Sequence, residues 1–293
     1  MQIVRSGHLL NLIIALGTCC LLPCPAFAVD GVIEINQARA MEGGVTASDT
    51  PGFPITIDAP GSYVLTGDLQ APSISVVGID VEADRVTIDL NGHSMDGRAV
   101  CTGEGENVNC APSNNADGIN SLGFSRTTVQ DGRIVGFARG VILGPASQVV
   151  NVDSSRNANG GVDVGSGSEV RNCRVFANGG PGRGILAGQG STVAGNSVRG
   201  NEADGILAAE GVLVESNSVT ENGEDGIEGF SGVMVTGNTV RNNGNQAGSA
   251  FQLRLNSDAA YIINTIVSSG TNGTVSGGVN LAGNACNGSA SCP

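Results

Sequence analysis

The run STVAGNSVRGNEADGILAAEG at 191–211 is followed without a gap by VLVESNSVTENGEDGIEGFSG at 212–232 and by VMVTGNTVRNNGNQAGSAFQL from Val233. The period is 21 residues. Upstream, 147–167 (SQVVNVDSSRNANGGVDVGSG) fits the same frame, 168–190 fits with two extra residues, and 127–146 with one fewer. In that frame the third position reads Val129, Val149, Val170, Val193, Val214, Val235. The eighth reads Ile134, Ser154, Val175, Val198, Val219, Val240, and the eleventh Phe137, Asn157, Asn178, Asn201, Asn222, Asn243. A glycine precedes Val141, Val162, Ile185, Ile206 and Ile227. Short β-branched runs parted by Asn/Gly turns are strand signals. No helical stripe runs through the region.

Self-similarity at this period, with three short strands per repeat, predicts an all-β solenoid in which each repeat is one coil. Coils then stack at roughly 4.8 Å, the spacing of neighbouring strands. Equivalent Val and Ile side chains pile up inside, and equivalent Asn residues form a ladder at a turn, where Asn tolerates the left-handed conformation. The sixth position reads Gly132, Val152, Cys173, Asn196, Asn217, Asn238, so Cys173 is expected to be a buried, structural thiol in an inward or turn position. Residues 36–42 read as a short helical cap. The expected division is a leader at 1–28, an N-terminal cap at 29–54, the solenoid at 55–270 and a C-terminal cap at 271–293. Solenoid ends need such lids because they expose core and strand edge.

The pattern V-x-x-N-x-V-x-x-N-x-x-x-G-[IV] resembles the right-handed parallel β-helix repeat of pectate-lyase-like and copper-site-maturation (NosD-type) secreted proteins. Pro60–Leu69 followed by Val86–His93 looks like the opening coils of that group, and the resemblance covers roughly 55–285. It implies a right-handed parallel β-helix. Fold alone does not give function, because the repeat residues build the scaffold.

Composition narrows the chemistry. The chain has 14 basic residues, all Arg, against 27 acids, and no Trp. Absence of Lys excludes Schiff-base chemistry, and His93 is the only histidine beyond the leader, which excludes a multi-His zinc site. The leader reading rests on Arg5, an apolar run from Leu9 to Leu22 and the Ala26-Phe27-Ala28 cleavage site. It predicts a secreted or periplasmic protein with no membrane span. Removing Arg5 leaves 13 Arg against 27 acids, about −14, which disfavours nucleic acid and anionic membranes as partners. In an oxidising compartment the short spacings pair Cys101 with Cys110 and Cys286 with Cys292.

Every length change is expected at one corner, just before the Gly-[IV] step: the 98–115 insertion, Gly179–Gly182 and Asn242–Gly248. The residue before that glycine reads Asp117, Arg139, Gly160, Arg183, Asp204, Asp225, a charged stripe flanked by Glu202 and Glu224. Elaborated loops on a rigid scaffold are where binding usually sits. Arg139, Arg183, Asp204 and Asp225 are therefore the candidate binding residues, with Asp204 and Asp225, one coil apart, a candidate Ca²⁺ pair. Asp-Gly is also an ordinary turn pair, so the same residues equally read as solvated turn positions. The resemblance to pectate lyases, which combine Ca²⁺ with an arginine, implies Arg183 as a candidate base. His93 is the other catalytic candidate; it would need an acidic partner, and Asp89 or Asp96 are near in sequence.

Two departures weaken a catalytic reading. Asn91-Gly92-His93-Ser94 is not the Gly-His-Gly of polygalacturonase-like members, and no Arg-x-Pro-x-x-Arg string occurs. One His and scattered Met give no soft-metal site for copper handling. The sequence thus reads as an exported β-helix scaffold presenting a ladder surface to a glycan or an envelope protein. The competing reading is a Ca²⁺-dependent polysaccharide lyase or epimerase, or a glycoside hydrolase for which Asp204 and Asp225 are the nearest carboxylate pair.

Overall fold

The computed structural model describes residues 31–111, 116–244, 250–268, 273–289 and 292; the leader read at 1–28 lies outside them. From Val32 the chain winds as a parallel β-solenoid. One coil shows the construction. Thr192–Ala194 and Ser197–Arg199 lie in a 19-stranded sheet (sheet A), and Ile206–Ala208 lies in a 10-stranded sheet (sheet B). Each pairs in parallel with its counterpart in the next coil, Val193 with Val214, Val198 with Val219 and Ile206 with Ile227. In sheet A only the central residue of each three-residue strand faces inward. In sheet B the two ends face inward and the centre faces out.

The inward residues form the predicted columns. Val129, Val149, Val170, Val193, Val214, Val235 and Tyr261 run in register through sheet A, and Ile119, Val141, Val162, Ile185, Ile206, Ile227 and Leu253 through sheet B. All are buried. A parallel stack of this kind buries branched side chains without needing shape-matched partners from distant sequence.

Two amide ladders hold the coils together. Asn157, Asn178, Asn201, Asn222 and Asn243 pass side-chain hydrogen bonds coil to coil at 2.8–3.0 Å and end on Gln252 Oε1. Asn196, Asn217, Asn238, Asn264 and Asn284 form the second. Asn217 is typical. Its Nδ2 donates to Val193 O and Asn238 Oδ1, and its Oδ1 accepts from the backbone and side-chain nitrogens of Asn196. A third, shorter ladder of Ser147, Ser168 and Ser191 hydroxyls accepts backbone N–H groups of the preceding coil.

The left-handed residues are not the ladder asparagines, as a simple turn reading expects, but the residues just before them. Asn172, Gly195, Ser216, Gly237 and Ile263 have φ between +53° and +67° ahead of the second ladder, and Arg156, Ala177, Gly200, Glu221 and Asn242 lie between +53° and +60° ahead of the first. That single reversal turns the next side chain into the core, so asparagine is selected there for its buried amide. Close approach fixes the glycine before sheet B: a Cβ on Gly205 would sit 2.5 Å from Val219 Cγ1 and 2.7 Å from Asn222 Nδ2.

Cys173 heads the second ladder. It is buried, its backbone N–H donates to Asn196 Oδ1, and its Sγ lies 3.6 Å from Val149 O, the place an amide Nδ2 takes in later coils. Burial pushes the thiol up to about 11, so it stays protonated.

At the N-terminal end the coil winding starts before residue 55. Ile33–Ile35 pairs with Tyr63–Leu65, and the helix Gln37–Glu42, capped by Asn36 Oδ1 on Arg39 N at 3.0 Å, then buries Ala40. At the other end Val279–Ala282 and Ala285–Cys286 still pair onto the preceding coil, so winding continues past residue 270 to Cys286, which is disulfide-bonded to Cys292. Cys101 and Cys110 form the other disulfide, across an antiparallel hairpin of Val100–Thr102 and Asn109–Ala111. Length also changes away from that corner, against the single-corner expectation: Ile88 to Met95 spans seven residues where their partners Val129 and Ile134 are five apart. Ser121 to Val129 spans eight residues where Leu143 to Val149 spans six, and the extra loop brings Phe124 O to where a Cβ on Gly144 would be.

Two stability measurements follow from the ladders. Asn217→Ala strands Val193 O and the Asn196 and Asn238 groups, and is expected to cost at least about 2 kcal/mol in urea unfolding, the penalty of unsatisfied buried polar groups. Cys173→Asn extends the ladder by one rung and is expected to match or exceed the parent. Ile263, a β-branched residue at φ +56° and 63% exposed, bears left-handed strain. Ile263→Gly is expected to raise stability by about 0.5–1 kcal/mol, the left-handed penalty less the entropy of glycine.

Candidate functional site

The charged stripe runs along the corner that leads into sheet B, and the outward column of sheet B lies beside it. That column reads Asp80, Asn120, Ile142, Asp163, Leu186, Leu207, Glu228, Arg254. Arg139 and Arg183, with the buried Asp117, Asp204 and Asp225, therefore lie beside the half-buried Leu186 and the buried Leu207 of that column.

The stripe is organised as arginine–aspartate pairs between coils. Arg139 grips Asp117 bidentately, Nε–Oδ1 2.9 Å and Nη2–Oδ2 2.8 Å, and its Nη1 lies 3.8 Å from Asp163 Oδ2. Arg183 Nε lies 3.4 Å from Asp204 Oδ2. Arg254 pairs with Asp225. Arg254 is a residue that sequence reasoning missed. The ten-residue step from Asn243 to Leu253 hides its alignment with Glu228, which only the Ile227–Leu253 register reveals.

Asp204 and Asp225 are both buried, and their four oxygens already have partners. Asp204 Oδ1 accepts from Asp225 N and Oδ2 faces Arg183; Asp225 accepts from Phe251 N and from Arg254. A Ca²⁺ would have to displace guanidinium and backbone donors, so these residues do not fit the cation as they stand. Among the described residues no group of three or more His, Cys, Asp or Glu is placed to hold a metal ion. Burial and the negative charges of Asp225, Glu228 and Glu224 push the Asp204 carboxyl up to about 7, with the Asp225 N–H opposing.

Gly160 breaks the stripe between Arg139 and Arg183, and the gap is a cleft of about 260 Å³. Asn159, Asp163, Pro181 and Leu186 line it together with the two arginines. Burial raises the Asp163 carboxyl, against the pull of Arg139. Glu202 supports the wall by accepting the Gly180 N–H, which holds the Gly179–Gly182 turn. Behind that turn lies the hairpin from 98 to 111: a Cβ on Gly179 would sit 2.8 Å from Cys110 Sγ. The structure thus brings Arg139, Arg183 and Asp163 to one cleft, and sets Asp204 and Asp225 beside it as buried, hydrogen-bonded carboxyl groups.

His93 is elsewhere. It follows the Asn91-Gly92 turn just ahead of the sheet A strand Ser94–Asp96, and Ser94 lies three coils from Arg174 through Arg133 and Asp153. Its Nδ1 faces Asp68 Oδ1 at 3.4 Å. Asp89 and Asp96, the acids nearest in sequence, instead accept the backbone N–H groups of Asn91 and Arg98. Coil stacking chose the partner, not sequence proximity.

Residues 139–288 match the family described as the right handed beta helix region. No curated protein matches the chain. Among solved structures, the chain is similar to the A-module of a mannuronan C-5 epimerase from Azotobacter vinelandii, at 13% identity and a TM-score of 0.40, covering 77% of this chain and 82% of that one. It is also similar to a periplasmic alginate epimerase, at 13% identity and a TM-score of 0.41, covering 77% and 70%.

The raised Asp204 carboxyl has a signed consequence. Its folded value near 7 exceeds the unfolded value of about 3.9, so the folded state binds the extra proton between them. This group's contribution to stability therefore falls as pH rises from about 4 to about 7. Asp204→Asn is expected to flatten that fall and to stabilise the protein at pH 8, by at most about 4 kcal/mol at about 1.4 kcal/mol per pKa unit, while changing little at pH 4. Thermal melts of both proteins across that range check it.

Proposed function

The chain belongs to the right-handed β-helix family, and we propose that it is an exported scaffold that binds a saccharide chain along the outer face of sheet B, with a sugar carboxylate held at Arg183. The observation that carries this reading is the cleft opened by Gly160 between two arginines. Arg139 is already held bidentately by Asp117, whereas Arg183 makes one long contact to Asp204 and keeps more donors for a ligand. Leu186, half-buried in the cleft wall, offers an apolar contact beside those donors, the combination a sugar ring with a carboxylate uses. The two disulfides suit an oxidising compartment, which supports export. An envelope protein is the other partner this face would serve.

A second reading has one observation in its favour. A carboxyl that titrates near neutrality beside an arginine is the raw material of proton transfer, and Asp204 next to Arg183 meets that description. It would make the protein a lyase or epimerase acting on the same polymer.

The experiment is a titration of the protein with acidic and neutral polysaccharides, with Ca²⁺ and with chelator, reading heat of binding, product chain length and uronate configuration. The expected result is binding of a uronate-bearing polymer, weakened at least tenfold by Arg183→Ala, with the polymer unchanged. Binding indifferent to Arg183→Ala, or no binding at all, would refute the scaffold reading. Shortening or epimerisation that Arg183→Ala abolishes would replace it with the enzymatic one.

A further inference from the structure

Sheet A carries a second concentration of positive charge. Arg156, Arg174 and Arg199 gather round the ring of Phe176, their guanidinium carbons 5.7, 5.3 and 5.8 Å from its centroid. They come from three successive coils: Arg199 pairs in register with Phe176, which pairs with Ser155 beside Arg156. Two carboxylates answer these three charges, Glu104 on Arg199 at 3.1 Å and Asp153 on Arg174 at 3.7 Å. In a chain with 27 acids and 14 bases, an excess of arginine at one point is built against the overall charge. Guanidiniums this close repel one another, since exposed charges feel each other within about 10 Å, and an arriving anion relieves that repulsion.

An independent feature adjoins it. A cleft of about 330 Å³ lies at the corner of sheet A, lined by Asp131, Asn151, Asp153, Asn172 and Arg174. Asp131, Asn151 and Asn172 occupy one of the left-handed columns, which turns their short polar side chains outward, and Asn151 Nδ2 donates to Asp131 Oδ1 at 2.7 Å. Amide and carboxylate groups in a row present both donors and acceptors, which matches neighbouring hydroxyls. Arg174 belongs to both features.

We infer that this face is a separate subsite for an anionic sugar unit, with hydroxyls against the Asn151–Asn172 row and a carboxylate or sulfate on Arg174 and Arg156. Guanidinium forks match either oxyanion bidentately. The subsite is distinct from the Arg183 cleft. Along their shared coil it comes at Arg174–Phe176 and the cleft at Pro181–Leu186, with Gly179 under the hairpin between them. The overall negative charge argues against nucleic acid here as elsewhere.

The test uses a short oligouronate, its neutral counterpart of equal length, a sulfated oligosaccharide and poly-aspartate, each titrated calorimetrically at two salt concentrations. The oligouronate or the sulfated sugar is expected to bind, more weakly in high salt, while the neutral sugar does not. In the Arg183→Ala background, which removes the contribution of the cleft, the remaining oligouronate binding is expected to fall at least tenfold with Arg174→Gln and by less with Arg156→Gln. Which of the two anionic sugars binds tighter identifies the oxyanion. Binding lost only in Arg183→Ala would overturn the subsite while leaving the cleft reading intact. Equal binding of the neutral sugar, or poly-aspartate binding as tightly as the sugars, would overturn it too. Circular dichroism of each variant separates loss of binding from loss of fold.

Discussion

A buried amide must find a donor and an acceptor, and in this protein it finds them in the coil above and the coil below. Asn217 can satisfy its side chain only if Asn196 and Asn238 lie one rung away in register. That requirement governs coil length far more tightly than the aliphatic columns do, since a valine tolerates displacement that a hydrogen bond at 3.0 Å does not. The ladders therefore set the register, and the Val and Ile columns supply the apolar burial.

With register fixed at the ladders and inside both sheets, most of the variation in the later coils falls at the corner between Asn178-type and Gly184-type positions. There the chain lengthens to make the Gly179–Gly182 turn, the hairpin from 98 to 111 and the step from Asn243 to Leu253. The cleft and its arginines lie along that corner for the same reason. A stripe of charge beside a strict repeat is cheap to vary, because Gly160 or Arg183 can stand there without disturbing a single rung.

The coils were readable because their constraint is local and recurs every 21 residues: Val193, Val198, Asn201 and Gly205 each have a homologous position one period away. The pairs of cysteines were readable from spacing. The site was legible in part. Arg139 and Arg183 were placed on one stripe by the frame, but their partners depended on register across insertions, which the frame does not carry. Arg254 reaches Asp225 only because Leu253 realigns with Ile227, and His93 meets Asp68 because the coils stack. The outward column with Leu186 and Leu207 was hidden as well, since its alternation with buried neighbours is a property of three-residue strands too short to show a period. The left-handed columns were misassigned by one residue, because asparagine is common both in that conformation and in buried ladders.

The hairpin from 98 to 111 has a consequence for how the molecule comes apart. In a stack where each coil touches only its neighbours, unfolding proceeds by fraying from an end, one unit at a time. This arm ignores that order. Cys101 Sγ reaches Arg156 O, Cys110 packs against Gly179, the Gly105 N–H donates to Gly200 O, Glu104 holds Arg199, and Gly105 approaches Glu221 O, so one closed loop touches four consecutive coils. The Glu104–Arg199 contact spans 95 residues of sequence where ladder contacts span about one period. Such a brace converts a chain of independent transitions into a concerted one across the middle of the solenoid. Those four coils melt as a block, and the reduced protein, its loop no longer closed, loses that cooperativity before it loses its strands.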